Sequence, residues 1–213
     1  MRGPRLLAAR GRRALRILRV AVRWRLDGLF GAAGLTQRDL PPVLRVVAAL
    51  FPTFLLPAPS EPPARRLRLA LEDLGPVFVK FGQILSTRPD ILAPDFAAEL
   101  RKLQDRVTPF AGSEARALVE AALGVPVTEA FGRFEAEPMA SASVAQVHAA
   151  ELPDGSEVVV KVIRPDIEAV IAEDLRLLQG IAELLERFVG EARRLRPVEV
   201  VRDYERTIHD ELD

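Results

Sequence analysis

Residues 144 to 163 read Val144-Ala145-Gln146-Val147-His148-Ala149-Ala150-Glu151-Leu152-Pro153-Asp154-Gly155-Ser156-Glu157-Val158-Val159-Val160-Lys161-Val162-Ile163. Two runs with strand character, Val144 to Glu151 and Glu157 to Ile163, flank Pro153-Asp154-Gly155, and turn residues between such runs predict an antiparallel hairpin. Alternation along the second run places the Lys161 side chain on the face opposite Val160 and Val162. Phe131 to Glu135 reads as a further strand, which makes a small antiparallel sheet.

The period changes on either side of the sheet. Upstream, Leu67, Leu71, Leu74, Phe78, Phe81 and Leu85 step by four and three, as one buried helical stripe does, and Gly75-Pro76 kinks or divides that helix. A second helix is predicted from about Pro94, with Leu92, Phe96, Leu100, Leu103 and Val107 on one side. A third follows Ser113 as N-cap and ends near Gly124. Downstream of Arg164-Pro165 a long helix carries Ile167, Ile171, Leu175, Leu178, Ile181, Leu185 and Phe188, and a last helix starts around Pro197. The fold class is therefore α+β. In sequential order it divides into a leader (1–56), a Pro-rich linker (57–63), a helical module (64–126) and a sheet-and-helix lobe (127–213).

A chain of 213 residues with 49% hydrophobic content can bury a sizeable core. The absence of cysteine excludes disulfide frameworks, thiolate metal sites and cysteine nucleophiles, and two histidines cannot build a histidine-rich metal centre. No metal site is predicted. The formal charge of zero hides an asymmetry, because Arg2, Arg5, Arg10, Arg12, Arg13, Arg16, Arg19, Arg23 and Arg25 all fall in the leader. There Leu15, Leu18, Val22, Leu26 and Leu29 recur at helical spacing while Arg12, Arg16, Arg19 and Arg23 share another face, which makes a basic amphipathic helix. Three roles stay open for it: an anionic membrane surface met through residues 1–30, a nucleic-acid contact, or docking on its own domain. The rest of the chain is acidic and aromatic interleaving is absent, so no nucleic-acid partner is expected. Arginines interrupt each apolar run, and the stretch from Val43 to Leu56 is too short to span a bilayer, so a cytoplasmic protein, peripheral on the membrane at most, is expected.

Lysine is rare here, only Lys80, Lys102 and Lys161. A compact ammonium suits a site between phosphate oxygens or beside a carboxylate where a planar guanidinium does not fit. Lys102 reads as a solvated helix residue. Lys161 follows the small-residue loop Pro138-Met139-Ala140-Ser141-Ala142-Ser143-Val144, whose backbone amides could approach a phosphate with Lys161 beneath them, as in kinase N-lobes, although an ordinary turn beside an edge lysine fits the same pattern. Lys80 and Gln83 stand three apart in Lys80-Phe81-Gly82-Gln83, with Gly82 thinning the helix for the close approach of another backbone. His148 reads as a packed strand residue.

The run Gly75-Pro76-Val77-Phe78-Val79-Lys80-Phe81-Gly82-Gln83-Ile84-Leu85-Ser86-Thr87-Arg88-Pro89-Asp90 resembles the KxGQ motif of the UbiB/AarF/ADCK family of atypical kinases. Met139 to His148 is similar to that family's alanine-rich loop, Val160-Lys161-Val162-Ile163-Arg164-Pro165 to its third-strand lysine motif, and Asp203 to Asp213 to the helix carrying the lysine's acidic partner. Ser141, where a middle alanine is usual, and Ala145, often glycine, depart from the pattern. The resemblance implies a kinase-like N-lobe preceded by a helical KxGQ module. It implies ATP as cofactor, held by Lys161 and covered by Ala140, Ser141, Ala142, Ser143 and Val144, with Lys80 and Gln83 projecting into the nucleotide pocket and Glu211, or else Glu205, pairing with Lys161. Catalytic-loop and magnesium-binding residues do not follow the lysine motif, so the chain is expected to be the truncated ATP-binding half of a kinase-like ATPase linked to ubiquinone or isoprenoid-lipid metabolism. No catalytic residue is assigned, and magnesium and turnover would require the missing C-lobe, whether from a continuation of this chain or from a separate polypeptide. The competing expectation is a non-catalytic membrane-associated or partner-binding module with a vestigial cleft.

Overall fold

The computed structural model describes residues 13, 15–26, 59–104, 107–188, 190 and 192–212. The chain forms two compact units, one of residues 1–104 and 171–209 and the other of 105–170 and 210–213. The helices after Ile171 thus group with the upstream module, whereas the sequential division keeps 127–213 together.

In the first unit, α1 (Pro63–Leu74) and α2 (Pro76–Ser86) each begin on proline, whose preset φ suits a first turn where no N–H is needed. Between them Gly75 adopts φ +107°, a conformation that favours glycine, and so the predicted helix is divided in two. Ala70, Leu71, Leu74, Val77, Phe78 and Val79 are buried. Here α3 (Pro94–Leu100) ends earlier than expected. The Lys102 and Leu103 amides turn back to the Glu99 and Leu100 carbonyls in a tightened last turn that seats buried Leu103. That seat explains Gly82: a methyl group there would lie 2.5 Å from Leu103 Cδ1 and 2.7 Å from Leu71 Cδ1. The close approach is made by side chains, not by another backbone. Arg68 joins α1 to α3 through Glu99, at 2.9 Å.

After the long helix come α7 (Ala192–Leu195) and α8 (Pro197–Asp210). The long helix itself belongs here for most of its length and is α6 (Ile167–Phe188) in chain order; α4 and α5 are given below. Its buried face runs Ile167, Ile171, Leu175, Leu178, Ala182, while Ile181 is 44% exposed. The small Ala182 takes the inward position that periodicity had given to Ile181. Val200, Val201, Tyr204 and Ile208 form the inner face of α8.

The described part of the leader, helical over 15–23, docks on this unit. Arg13 grips the fully buried Asp174 carboxylate through Nε at 2.6 Å and Nη2 at 2.5 Å, and Nη2 also donates to the Leu74 carbonyl at 3.0 Å. Arg16 donates to the Asp73 carbonyl, and Trp24 Nε1 to the Asp73 carboxylate at 2.8 Å. Val20 is buried, Leu15 is 45% exposed, and Leu18, Val22 and Leu26 of the predicted stripe are half-buried; Leu29 lies outside the described residues. No helix among the described residues is long and apolar enough to cross a membrane.

The second unit is a sheet backed by helix. Here α4 (Gly112–Leu123) starts after Ala111, not with Ser113 as its cap, because Gly112 enters the helix against the Ala136 carbonyl, where a Cβ would sit at 2.2 Å. It ends on left-handed Gly124, φ +74°, as its sequence predicts. A short α5 (Val127–Ala130) leads to β1 (Arg133–Phe134), β2 (Ala140–Ser141), β3 (Ala145–Glu151) and β4 (Glu157–Ile163). All pairings are antiparallel to β3: β1 and β2 along one side, β4 along the other. The β3–β4 turn is closed by Gly155 at φ +88° and by the Ser156 amide donating to Asp154 Oδ1 at 2.9 Å. Beneath the sheet, Ala115, Val119, Val127 and Val162 form a core with Phe110, Phe131, Phe134 and Val160 packed on it.

Candidate functional site

Because β4 alternates, Val158, Val160 and Val162 turn inward while Val159 and Lys161 face out, Val159 at 66% exposure. Register sets Val147 opposite Lys161, Ala149 opposite Val159, and Ala140 opposite Val147. Residues directly opposite share a sheet face, so one side of the sheet presents an ammonium among Val147, Ala149, Val159 and Ala140. The exposed Val159 beside Lys161 leaves a flat apolar floor open.

At one edge of this face lies the small-residue loop. Ala140 is exposed, Ser141 and Ala142 are half-buried, and Ser143 and Val144 are buried. The Ala142 amide donates to the Ala145 carbonyl at 2.9 Å. None of these residues takes a positive φ, so the turn is made without glycine-like conformations. Arg164 lies behind it. Its Nε donates to the Ala142 carbonyl at 3.0 Å, and Nη2 donates to Ser141 Oγ at 2.7 Å and to the Thr108 carbonyl at 3.2 Å.

Below the loop a neutral polar chain crosses the buried side of β3. The Phe110 amide donates to Gln146 Oε1 at 2.7 Å, the Gln146 amide group meets His148 Nε2 at 3.3 Å, and His148 Nδ1 meets the Glu135 carbonyl at 2.9 Å. A carbonyl only accepts, so the imidazole proton sits on Nδ1 and Nε2 accepts from Gln146. His148 is stacked on Phe134 and fully buried, the packed strand residue its sequence suggested.

The Lys161 ammonium donates to the main-chain carbonyl of Glu211, which lies just past α8. Of the two acids proposed as partners, Glu211 is the residue brought to Lys161, through its carbonyl. Glu205 instead lines a groove of about 480 Å³ between α6 and α8, with Arg176, Gln179, Glu183, Arg202 and His209. Gln83 donates its amide to the Leu103 carbonyl at 3.1 Å, so it ties α2 to the turn after α3. Lys80, half-buried, stands one turn before it. Lys102 pairs with Glu99 at 2.5 Å, the surface residue its sequence suggested. Among the described residues no cluster of three or more His, Asp or Glu is placed to hold a metal ion.

Two residues at the heart of these arrangements escaped the sequence reading. Arg164 stands in the sequence only as a helix boundary and a member of the lysine motif. Tyr204, the single tyrosine of the chain, is wholly buried, and its hydroxyl donates to the Val77 carbonyl at 2.6 Å while its ring lies 5.2 Å from that of Phe81. Being the only tyrosine in a helix otherwise rich in charge was the one available signal.

A small antiparallel sheet carrying a mid-strand lysine beside a small-residue turn, with helices packed around it, is a kinase-like N-lobe. The ABC1 atypical kinase-like domain matches residues 102–213, and the chain belongs to that family, within its UbiB/ADCK branch. It is 56% identical over 201 residues to "Probable protein kinase UbiB" of Marinobacter nauticus, covering 94% of this chain and 36% of that protein. It is 57% identical over 211 residues to the protein of the same name from Azotobacter vinelandii, covering 98% of this chain and 38% of that one. The chain therefore spans well under half the length of the curated relatives it matches. Among solved structures, a Mycobacterium tuberculosis protein determined in complex with erythromycin is 27% identical, covering 76% of this chain and 39% of that one, with a TM-score of 0.33.

Proposed function

We propose that this chain supplies the ATP-holding half of a UbiB-type kinase-like ATPase. The observation that carries the reading is the outward face of β3 and β4, where Lys161 stands among Val147, Ala149 and the 66%-exposed Val159. An adenine ring needs a flat apolar floor and a triphosphate needs a cation, and this face offers both. ATP, when bound, brings a transferable γ-phosphoryl group. The residues of this chain act around it by binding and orientation. Lys161 holds the phosphates, and the Glu211 carbonyl, already its acceptor, fixes the direction of the ammonium. Ala140, Ser141, Ala142, Ser143 and Val144 border the phosphates, and Val147 and Val159 support the base. Gln83 secures α2 on the Leu103 carbonyl. The ubiquinone or isoprenoid-lipid setting that the resemblance implies belongs to the same proposal.

Titration with a fluorescent ATP analogue tests it. Wild type should bind, and Lys161→Ala should weaken binding by roughly 10- to 100-fold, the worth of one hydrogen bond to a charged group. Equal affinity in both would overturn the reading.

A further inference from the structure

We infer that Arg164 is a positioning residue that shapes the small-residue loop for an anion from behind; this rests on the nucleotide reading above and assigns the residue that makes the loop competent. Most loops that wrap phosphates rely on glycine, whose freedom lets successive amides point inward. This one has no glycine between Pro138 and Val144, and no residue in it adopts a positive φ. Contacts from outside the loop add to its internal Ala142–Ala145 bond in holding its shape.

Arg164 supplies that constraint at three of the loop's residues. Its side chain takes the Ser141 hydroxyl and the Ala142 carbonyl, and its own amide donates to the Val144 carbonyl at 2.9 Å. Every one of these loop atoms is an acceptor. Oxygen lone pairs turned toward a phosphate would repel it, and the guanidinium draws the Ser141 and Ala142 oxygens to its own side. The planar fork of arginine can serve several acceptors at once, which a lysine ammonium on a flexible stem does not do with the same geometry. The guanidinium is itself seated. It lies 5.6 Å from the centre of the Phe110 ring, and the Phe110 amide is bonded to buried Gln146 on β3. Arg164 also follows Lys161 by three residues, directly after β4 ends at Ile163. One short stretch of chain therefore sets both the cation and the loop. Ser141, which departs from the alanine usual in the family, adds the hydroxyl that Nη2 reaches at 2.7 Å.

The test compares ATP with adenosine, because a loop that contacts only phosphates affects only the first. Binding of each is measured by calorimetry in the 213-residue chain for wild type, Arg164→Lys and Ser141→Ala. In wild type ATP should bind more tightly than adenosine. In Arg164→Lys that preference should shrink about tenfold, the loss of one strong polar contact, with adenosine affinity unchanged. Ser141→Ala, a small change that leaves the fold intact, should move the preference the same way by a few-fold. An unchanged ATP-to-adenosine preference in both variants, with wild type binding ATP normally, would overturn the positioning role and leave the nucleotide reading standing. A lower melting temperature with no change in preference counts as that outcome too, since it marks Arg164 as structural only. Absence of ATP binding in wild type would overturn the nucleotide reading and this inference with it.

Discussion

The two units satisfy their buried polar groups by opposite means. In the helical unit the interior holds a full charge: Asp174, with no exposure, is answered by Arg13 reaching from the leader. Among the described residues of the sheet unit the buried polar groups are neutral: Ser143, and a chain from Phe110 N–H to Gln146 to His148 to the Glu135 carbonyl. A charge removed from water requires its partner far more than a neutral group does, so the same deletion should be costly in one unit and moderate in the other. Among the described leader residues, Arg13 is engaged with Asp174 and the Leu74 carbonyl, and Arg16 with the Asp73 carbonyl.

The largest effect expected is from Arg13→Ala, which strands the Asp174 carboxylate and should cost about 3–5 kcal/mol in denaturant unfolding. A loss under about 1 kcal/mol would show that Asp174 finds water instead, and the contrast between units would break. Next, Gln146→Leu should cost about 1–3 kcal/mol by leaving the Phe110 amide and His148 Nε2 without their partner. If it cost as much as Arg13→Ala, neutral and charged interiors would be equivalent. Tyr204→Phe removes one neutral hydrogen bond from Val77 and keeps the ring on Phe81, so about 1 kcal/mol is expected.

The smallest effect is one of pH, and its sign differs within the helical unit. Hydrogen bonds from Lys102 and then Arg68 hold the Glu99 carboxyl below its usual value, so its contribution is present above the ordinary carboxylate pKa of about 4 and is lost as pH falls through the lower folded value. Asp174 runs the other way: burial pushes its carboxyl up despite Arg13, and its contribution diminishes as pH rises from 3.8 toward the raised folded value. Glu99→Gln should therefore flatten the acid side of the stability profile. A variant with the wild-type acid slope would remove Glu99 from the account.

How much of this was legible depends on the kind of interaction. Period-two alternation placed Lys161 outward with Val160 and Val162 inward, and the Pro153-Asp154-Gly155 turn located the hairpin, because side-chain direction in a strand follows from local geometry alone. Helical spacing found Ile171, Leu175 and Leu178 but chose Ile181 over Ala182, since periodicity ranks by hydrophobicity and packing ranks by fit. Gly82 signals a close approach but not the neighbour that makes it, because which atom fills the space is a tertiary fact. The links from Arg13 to Asp174 and from Arg164 to Ser141 span 161 and 23 residues, and no local pattern reports a hydrogen bond over such a separation.

The central claim is that phosphates lie against Lys161, and a chain with three lysines allows it to be examined atom by atom. An acyl-phosphate derivative of ATP acylates amines beside its phosphates, and mass spectrometry then locates the label. The account predicts a label on Lys161 that excess ATP suppresses, and no ATP-sensitive label on Lys102. A Lys161 label indifferent to excess ATP, or ATP-sensitive labelling at Lys102 alone, would contradict it.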